Sequence, residues 1–375
     1  MEKLKYGAVG GADGSFIGGV HRRGAIHDGL AELVAGCFSR NEEKCRKAGE
    51  EFGIAEDRIY TSFREMAEKE SKRPDGIDFV SIATPNYSHY EIAKTFLENG
   101  IHVACDKPFT FTSVQSKELV ELAEKNGLLI LITYTYTGYA MIKQARKMIA
   151  DGEIGDIIMV NAEYVQASMS KPGMLEQRAP RRGNPEMSGP SNCMSDIGTH
   201  IEAAVRVMTG LQIKKVSAKM DHVGKICRDT NDMALLEYEN GASGIYWATQ
   251  MAVGYNNGFR IRIFGTKGTI EWFQEDPNHL KVAVTGRPVY IIASGSDYTS
   301  PEIGARFPAG HSEGFYEAFA NLYTPFERAI SKIKNGEKPD KKDLDFTNGM
   351  NGYYGMRLVE ACLASVEKGG VWVNY

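Results

Sequence analysis

The stretch Val9-Gly10-Gly11-Ala12-Asp13-Gly14-Ser15-Phe16-Ile17-Gly18 decides the fold of this chain. It follows an apolar run and opens a helical pattern. Glycines at such a turn let the backbone approach a pyrophosphate, which then binds the free N–H groups of the helix. Ala12 stands where a second motif glycine is expected, so a plain glycine turn is the alternative. The stretch favours a dinucleotide site whose candidate contacts are Gly10, Gly11, Ser15, Phe16 and Ile17.

Strand and helix patterns alternate around this turn over the first 133 residues. Strands are predicted at 4–9, 33–38, 78–83, 101–105 and 128–134. Helices are predicted between them near 18–29, 41–52, 62–69, 88–99 and 113–126. Strands separated by helices of this size pair in parallel through right-handed crossovers. Residues 1–133 are therefore predicted to form a doubly wound parallel sheet of the Rossmann type.

The pattern changes after a predicted helix at 138–151. Strands are then predicted near 156–166, 212–222, 232–239, 243–253, 258–265 and 268–274. Their short connecting turns indicate antiparallel neighbours, and long helices follow at about 313–334 and 346–367. Residues 134–375 are thus predicted to form an α+β domain with helices on one sheet face. Strand aromatics such as Tyr246 and Trp247 suggest that a partner subunit covers the other face.

The composition argues against several other classes of protein. The 375 residues carry a formal charge of −4, which leaves no basic excess to attract nucleic acid or an anionic membrane. No apolar run approaches the roughly 20 residues of a membrane span, and the first residues lack the apolar core of a signal peptide. The six cysteines form no Cys-x-x-Cys pair, so neither a disulfide framework nor a zinc site is indicated. We expect a cytoplasmic protein without a metal.

The end of the second predicted strand bears on the choice between NAD and NADP. An acidic residue there binds the ribose hydroxyls of NAD, whereas an arginine accommodates the 2′-phosphate of NADP. This chain has Ser39 and Arg40 at that point and no acid before Glu42. These residues favour NADP, although Arg40 could equally lie in solvent at a helix start. The cofactor is left open between NAD(H) and NADP(H).

Two motifs lie at the carboxyl ends of later strands, where doubly wound sheets bind ligands. The first is Thr84-Pro85-Asn86-Tyr87-Ser88-His89, whose candidate cofactor contacts are Thr84, Pro85, Asn86 and His89. Asn86 or Ser88 could instead cap the next helix. The second is Cys105-Asp106-Lys107-Pro108, which would direct Lys107 into the crevice and suit it to proton handling. A surface lysine before a turn proline is the alternative.

A fourth motif, Ser195-Asp196-Ile197-Gly198-Thr199-His200, opens a helical stripe that should be core. Asp196 and His200 are four residues apart and therefore share a neighbouring face. A carboxylate beside an imidazole can orient it and stabilise its protonated form. A capping aspartate with a satisfied core histidine is the usual explanation of such a pair when it occurs alone.

Together, the four motifs resemble the glucose–fructose oxidoreductase/inositol dehydrogenase/MocA family. Its pattern is a glycine-rich turn, a Thr-Pro-x-x-x-His segment, a Glu-Lys-Pro triplet and an Asp-x-x-x-His helix, in that order. Here Asp106 replaces the glutamate, and the resemblance covers essentially the whole chain. It implies a Rossmann domain followed by an α/β domain with a large open sheet, and an active site in the cleft between them. It also implies homodimers or homotetramers built on that sheet.

The resemblance further implies an NAD(P)-dependent dehydrogenase acting on a sugar, glycoside or polyol. Lys107 and His200 would act at the reacting hydroxyl with Asp196 nearby, His200 taking the proton and Lys107 hydrogen-bonding the oxygen, although these two roles could be exchanged. Lys107 would also contact the cofactor. The candidate substrate contacts are Tyr136, Gln166 and Arg182. Two alternatives are an NAD-dependent glycosidase working through transient oxidation and a non-catalytic NAD(P)-binding regulator.

Overall fold

The computed structural model of the protein describes residues 2–12, 14–170, 173, 184–222 and 228–375. These residues form two compact units. The first comprises Met1–Thr110, Val114–Gly138 and Phe315–Tyr353. The second comprises Phe111–Ser113, Tyr139–Gly314 and Tyr354–Tyr375. The sequence-based division at residue 133 stays a prediction about domains, and the packing units depart from it because 315–353 packs with the first unit.

The strands and helices follow the predicted order. The strands are β1 Leu4–Gly10, β2 Ala31–Cys37, β3 Phe79–Ala83, β4 His102–Cys105, β5 Ile130–Ile132, β6 Ile157–Val165, β7 Ile213–Asp221, β8 Asn231–Tyr238, β9 Ser243–Thr249, β10 Gly258–Gly265, β11 Gly268–Phe273, β12 His279–Val284, β13 Tyr290–Ala293 and β14 Val373–Asn374. The longer helices are α1 Phe16–Ile26, α2 Glu42–Glu51, α3 Phe63–Glu70, α4 His89–Glu98, α5 Ser113–Lys125, α6 Ala140–Ala150, α7 Thr199–Thr209, α8 Phe315–Lys334 and α9 Gly349–Glu367.

The first unit contains a five-stranded sheet with the order β2-β1-β3-β4-β5, and its neighbouring strands pair in parallel. This confirms the predicted doubly wound sheet. Its core is aromatic: Tyr6 of β1 stacks on Phe79 of β3 with ring centroids 5.1 Å apart. Phe319 and Tyr323 of α8 belong to the same buried cluster, so α8 covers this sheet despite its distance along the chain.

The turn after β1 depends on a close approach of two glycines. Gly11 has a φ of +76°, which favours glycine, and a Cβ added to Gly18 would lie 2.3 Å from the Gly11 Cα. Ser15 caps α1, because its Oγ accepts a hydrogen bond from the Gly18 N–H at 3.2 Å. The first turn of α1 is therefore held directly against the end of β1.

The second unit contains a nine-stranded sheet with the order β13-β12-β11-β10-β6-β9-β8-β7-β14. Its pairs are antiparallel except that β6 and β9 run parallel. The predicted α+β architecture with a large, mostly antiparallel sheet is thus confirmed. Three strands at or near the sheet edges, β12, β13 and β14, were not predicted from the sequence.

One face of the second sheet carries exposed apolar side chains. On β8 and β9, Leu235 and Ile245 are 49% and 42% exposed, whereas their neighbours Leu236 and Tyr246 on the opposite face are buried. The exposed apolar members of this face are Met159, Met233, Leu235, Ile245 and Trp247. Across the described ranges, no helix is both long enough and apolar enough to cross a membrane.

The contact between Gly11 and Gly18 predicts contrasting effects of alanine at two adjacent positions of α1. Gly18→Ala should lower the free energy of unfolding by about 1–3 kcal/mol, because the new Cβ meets backbone that must shift. Gly19→Ala meets nothing within 4 Å and should stabilise the helix by up to about 1 kcal/mol. Urea unfolding of both variants measures the contrast, and equal stabilities would contradict this packing.

Candidate active site

His89 ties together the turns that follow β3 and β4. Its ring is buried, with Nδ1 2.9 Å from the Pro108 carbonyl oxygen and Nε2 2.9 Å from the Thr84 carbonyl oxygen. The Lys107–Pro108 peptide bond is cis, and Lys107 itself is half-buried. Both ring nitrogens face backbone carbonyls, and the predicted cofactor contact of His89 stays a prediction. In the first unit His89 therefore positions the two turns, including the one that carries Lys107.

The other residues of the Thr-Pro segment lie at the carboxyl end of β3, as expected. Pro85 is exposed, while Thr84 and Asn86 are half-buried. The Ser88 hydroxyl donates to the Thr84 hydroxyl oxygen at 2.8 Å and fixes the short turn before α4. Cofactor contacts by Thr84, Pro85 and Asn86 stay predictions.

A buried polar network that the sequence analysis missed surrounds Asp106. Its Oδ1 accepts a hydrogen bond from the Thr133 hydroxyl at 3.2 Å and lies 3.7 Å from His21 Nε2. His21 Nδ1 in turn lies 2.7 Å from the Tyr323 hydroxyl and 3.1 Å from the Ser81 hydroxyl. These residues come from α1, α8, the middle of β3 and the positions directly after β4 and β5, so no local sequence pattern connects them.

The network keeps Asp106 ionised. Burial alone would raise the pKa of Asp106, but the hydrogen bond and charge of His21, with charge from Lys107 and His89, lower that pKa to about 2. A fixed negative charge therefore adjoins Lys107 in the chain at neutral pH.

The residues of the glycine turn fit a dinucleotide phosphate. A Cβ on Gly10 would lie 2.6 Å from the Ala83 carbonyl oxygen, whereas the space beside Gly14 is open. Phe16 is 71% exposed and Ile17 is half-buried at the first turn of α1. The turn thus offers helix N–H groups beside an open surface, which is the arrangement that anions bind.

The end of β2 carries no acidic side chain, as its sequence indicated. Arg40 is exposed, and the Ser39 Oγ accepts a hydrogen bond from the Asn41 N–H at 3.1 Å. Asn41 then caps α2 by accepting from the Lys44 N–H. The exposed guanidinium of Arg40 is accordingly accessible to a ligand phosphate.

A cavity of about 800 Å³ runs along α1 in the first unit. Phe16, Arg22 and Phe52 line it together with the first residues of β2. Arg22 is already engaged there, because its Nη1 donates to the Gly11 carbonyl at 2.6 Å and its guanidinium lies over the Phe52 ring. Since its walls include the amino-terminal end of β2, this cavity differs from the predicted site at the carboxyl strand ends.

In the second unit, Asp196 and His200 lie on a helical segment of unusual winding. Met194–Gly198 forms a turn of π-helix that continues into α7. Asp196 is half-buried on the π turn, and His200, 6% exposed, lies in the first turn of α7. Turns of π-helix occur often at functional sites. The sequence predicted a shared helical face but not this change in winding.

Two glutamines follow the only parallel strand pair of the second sheet in its described part. Val165 of β6 pairs with Thr249 of β9, so Gln166 and Gln250 leave the sheet at the same edge. Gln250 is fully buried, and its Nε2 donates to Asp196 Oδ2 at 2.9 Å. The sequence analysis singled out Gln166 but missed Gln250, because the predicted strand 243–253 continued through it. Placing the strand end at Thr249 would have revealed the matching position.

The remaining predicted substrate contacts are less informative. Tyr136 lies in the short turn Thr135–Gly138 of the first unit and is only 5% exposed. Arg182 lies outside the described residues. Tyr164 of β6 was not predicted, and its ring centroid lies 6.0 Å from that of His200 at an interplanar angle of 60°. His200 is therefore flanked by an aromatic side chain from the sheet.

Comparison with known proteins agrees with this arrangement of motifs. Residues 4–134 match the model of an oxidoreductase family with an NAD-binding Rossmann fold, and residues 142–271 match the GFO/IDH/MocA C-terminal domain. A relative that is 37% identical over 99% of this chain and 97% of its own length is the uncharacterized oxidoreductase YfiI of Bacillus subtilis. The chain belongs to the GFO/IDH/MocA family.

Solved structures show how closely the fold of this GFO/IDH/MocA protein is shared. An inositol dehydrogenase homolog from Azotobacter vinelandii complexed with NAD⁺ is 36% identical, with a TM-score of 0.95 over 100% of this chain and 98% of that one. The same relative complexed with NADH and myo-inositol gives a TM-score of 0.93 at the same identity and coverage. A levoglucosan dehydrogenase from Pseudarthrobacter phenanthrenivorans is 28% identical over 61% of this chain and 63% of its own.

The Asp106 network of this GFO/IDH/MocA protein predicts a specific dependence of stability on pH. The pKa of Asp106, about 2 when folded, lies below the roughly 3.9 of an unfolded aspartate. The ionised form therefore contributes about 2–3 kcal/mol above pH 5, and this contribution is lost as the pH falls towards 2. Asp106→Asn should be less stable than wild type by that amount at pH 7, and the difference should shrink by pH 3.

Urea unfolding at several pH values measures this difference. Glu50→Gln on the exposed side of α2 is the matched control, and it should show no such pH-dependent difference. A difference between Asp106→Asn and wild type that is equal at pH 7 and pH 3 would contradict the stabilising role of the ionised carboxylate.

Proposed function

We propose that this protein is an NAD(P)-dependent dehydrogenase that oxidises a secondary hydroxyl of a sugar, glycoside or polyol, or reduces the corresponding ketone. The observation that carries the proposal is the Asp196–His200 pair at the start of α7, with Asp196 held by a buried amide donor. The relative complexed with NADH and myo-inositol supports a polyol substrate. The levoglucosan dehydrogenase supports a carbohydrate in the same chemical class.

The chain's own residues would hold the cofactor in the first unit. The turn at Gly10 and Gly11 and the N–H groups opened by Ser15 would bind the pyrophosphate. NAD or NADP, when bound, accepts the hydride that leaves the carbon bearing the hydroxyl. The NAD⁺-bound relative supports NAD, while Arg40 and the absence of an acid at 37–41 support NADP, so both are assayed.

His200 would act as the general base for the substrate hydroxyl. Its imidazole takes the hydroxyl proton as the carbon becomes a carbonyl. Lys107 would donate a hydrogen bond to the same oxygen and stabilise its developing negative charge. Asp196 would orient His200 or bind a second hydroxyl, and Gln166 supplies an amide that can donate to and accept from hydroxyls.

The proposal predicts which substitutions abolish turnover. A panel of cyclitols, glycosides and anhydrosugars is assayed with NAD⁺ and NADP⁺ at 340 nm to find a substrate. His200→Ala and Lys107→Ala should each lower turnover about 10²–10⁴-fold while nucleotide affinity is retained, because each removes a group acting on the reacting oxygen. The two effects should combine less than multiplicatively, since both act on one oxygen.

His279→Ala is the matched control for these variants. His279 is a surface histidine of the second unit that contacts Asp276, and its loss should leave turnover unchanged. Near-wild-type turnover in both His200→Ala and Lys107→Ala would show that these residues serve in helix capping and packing and not in catalysis.

We also propose that the exposed sheet face described above joins copies of this chain in a homodimer or homotetramer. Its apolar side chains are contiguous across β6, β8 and β9, and covering them would remove apolar surface from water. The family resemblance supports the same face.

Light scattering tests this assembly at micromolar concentration. Wild type should have a mass that is a multiple of the 41.4 kDa chain, and Ile245→Lys in the middle of the face should reduce it to a single chain. Val253→Lys replaces an exposed valine that lies beyond the end of β9 and should leave the assembly intact. A wild-type mass of 41.4 kDa would refute the proposal.

A further inference from the structure

A chain of buried polar groups leads from Asp229 to Asp196 in the second unit. Asp229 Oδ1 accepts a hydrogen bond from the Asn192 N–H at 2.8 Å. Asn192 Nδ2 donates to Gln250 Oε1 at 2.7 Å, and Gln250 Nε2 donates to Asp196 Oδ2 at 2.9 Å. Asp229, Asn192 and Gln250 are at most 4% exposed. Solvent therefore does not replace any of these hydrogen bonds readily.

The direction of this chain is fixed by the chemistry of its members. Asn192 Nδ2 also donates to the Asp229 carbonyl oxygen at 3.0 Å, so the amide nitrogen of Asn192 faces acceptors. Gln250 must then offer its oxygen to Asn192 and its nitrogen to Asp196. Asp196 consequently receives a donor from a buried neutral amide, and a donor to a carboxylate favours its ionised form.

Asp229 fixes the backbone at the other end of the chain. Its carboxylate accepts hydrogen bonds from the Ser191 hydroxyl and from the N–H groups of Asn192, Cys193 and Met194. These N–H groups lie at the amino-terminal start of the π turn, where they have no helical partner. The capped segment is the one that carries Asp196 and His200, so its position depends on Asp229.

The pKa values of several other titratable groups in this region are raised by burial. Burial, with charge from Asp232, Asp229 and Asp196, raises the pKa of the Cys193 thiol. Burial beside Asp229 likewise raises the pKa of Asp232, and burial raises that of Cys362 on α9. Of these groups, Cys193 is the one whose pKa is raised by charge from Asp196 as well as from Asp229 and Asp232. The amide of Gln250 donates directly to the Asp196 carboxylate.

We propose that Gln250 is a positioning residue of the dehydrogenase site, which holds the Asp196 carboxylate ionised and oriented through a relay anchored on Asn192 and Asp229. The inference rests on the proposed function for its effect on turnover, but the effect on Asp196 itself is independent of any substrate. Gln250 directly follows β9, so the end of this strand fixes the position of Gln250 in the relay.

The test replaces the amide by a carboxyl of the same shape. Gln250→Glu sets a second carboxyl against Asp196, and two carboxyls that share a proton cannot both ionise readily. The Asp196 carboxyl resonance, assigned by its absence in Asp196→Asn, is followed by NMR through a pH titration. Its midpoint should rise by about one pH unit or more in Gln250→Glu.

Gln144→Glu is the matched control. Gln144 is a buried glutamine of the same unit whose Oε1 accepts from the Ser300 N–H, which a glutamate oxygen can also do. The Asp196 titration should be unchanged in this variant. An unchanged Asp196 midpoint in Gln250→Glu would overturn the proposal.

Steady-state kinetics separates this inference from the proposed function. With a substrate from the panel, the acidic limb of the kcat–pH profile should move upward with the Asp196 titration in Gln250→Glu, which lowers kcat about tenfold on that limb. If Gln250→Glu shifts the Asp196 titration but the wild-type protein oxidises no polyol, the relay is supported and the proposed function is refuted. An active wild type with an unaltered profile in Gln250→Glu would refute the relay alone.

Discussion

The buried carboxylate of Asp229 is the constraint on which the second unit's site depends. A charge without partners in a protein interior is costly, so Asp229 requires the four donors that surround it. Three of these donors are backbone N–H groups at the start of the π turn, and satisfying them fixes where the helical segment begins. The placement of Asp196 and His200 follows from that starting point.

The first unit also contains a carboxylate that is stabilised by surrounding protein groups. Asp106 is surrounded by Thr133 and His21, and His21 is itself held by the Tyr323 hydroxyl. The carboxylate adjoins Lys107, so the same network that stabilises the fold also sets the charge beside the lysine. In both units, a carboxylate held by protein groups therefore lies in or under the segment that carries a residue proposed to act on substrate.

Much of the fold could be predicted because periodicity is a local property. The alternating strands and helices of the first 133 residues and the change to short turns after 151 gave the right architecture for both sheets. The motifs gave the family, because four of them occur in order along the chain. The strand β13 was missed because its four residues show too few alternations to stand out.

The site was predictable only where a motif is contiguous. Asp196 and His200 are four residues apart, but Gln250 is 54 residues from Asp196, and Tyr323 is 302 residues from His21. Tertiary packing brings such pairs together, so the sequence contains no characteristic spacing that would reveal them. Asp229 lies in the run Arg228-Asp229-Thr230-Asn231-Asp232, which matches no motif. Its role follows only from the fold, which places its carboxylate under the π turn.

The central claim is that the protein moves a hydride from a substrate C–H bond to the nicotinamide of a bound dinucleotide. The most direct measurement uses a polyol that carries deuterium on its hydroxyl-bearing carbons and analyses the reduced nucleotide by mass spectrometry. The account predicts one deuterium in the nicotinamide ring of the product and none when the label is supplied as deuterated water. Reduced nucleotide that takes its new hydrogen from water, or oxidised polyol with no reduced nucleotide, would contradict it.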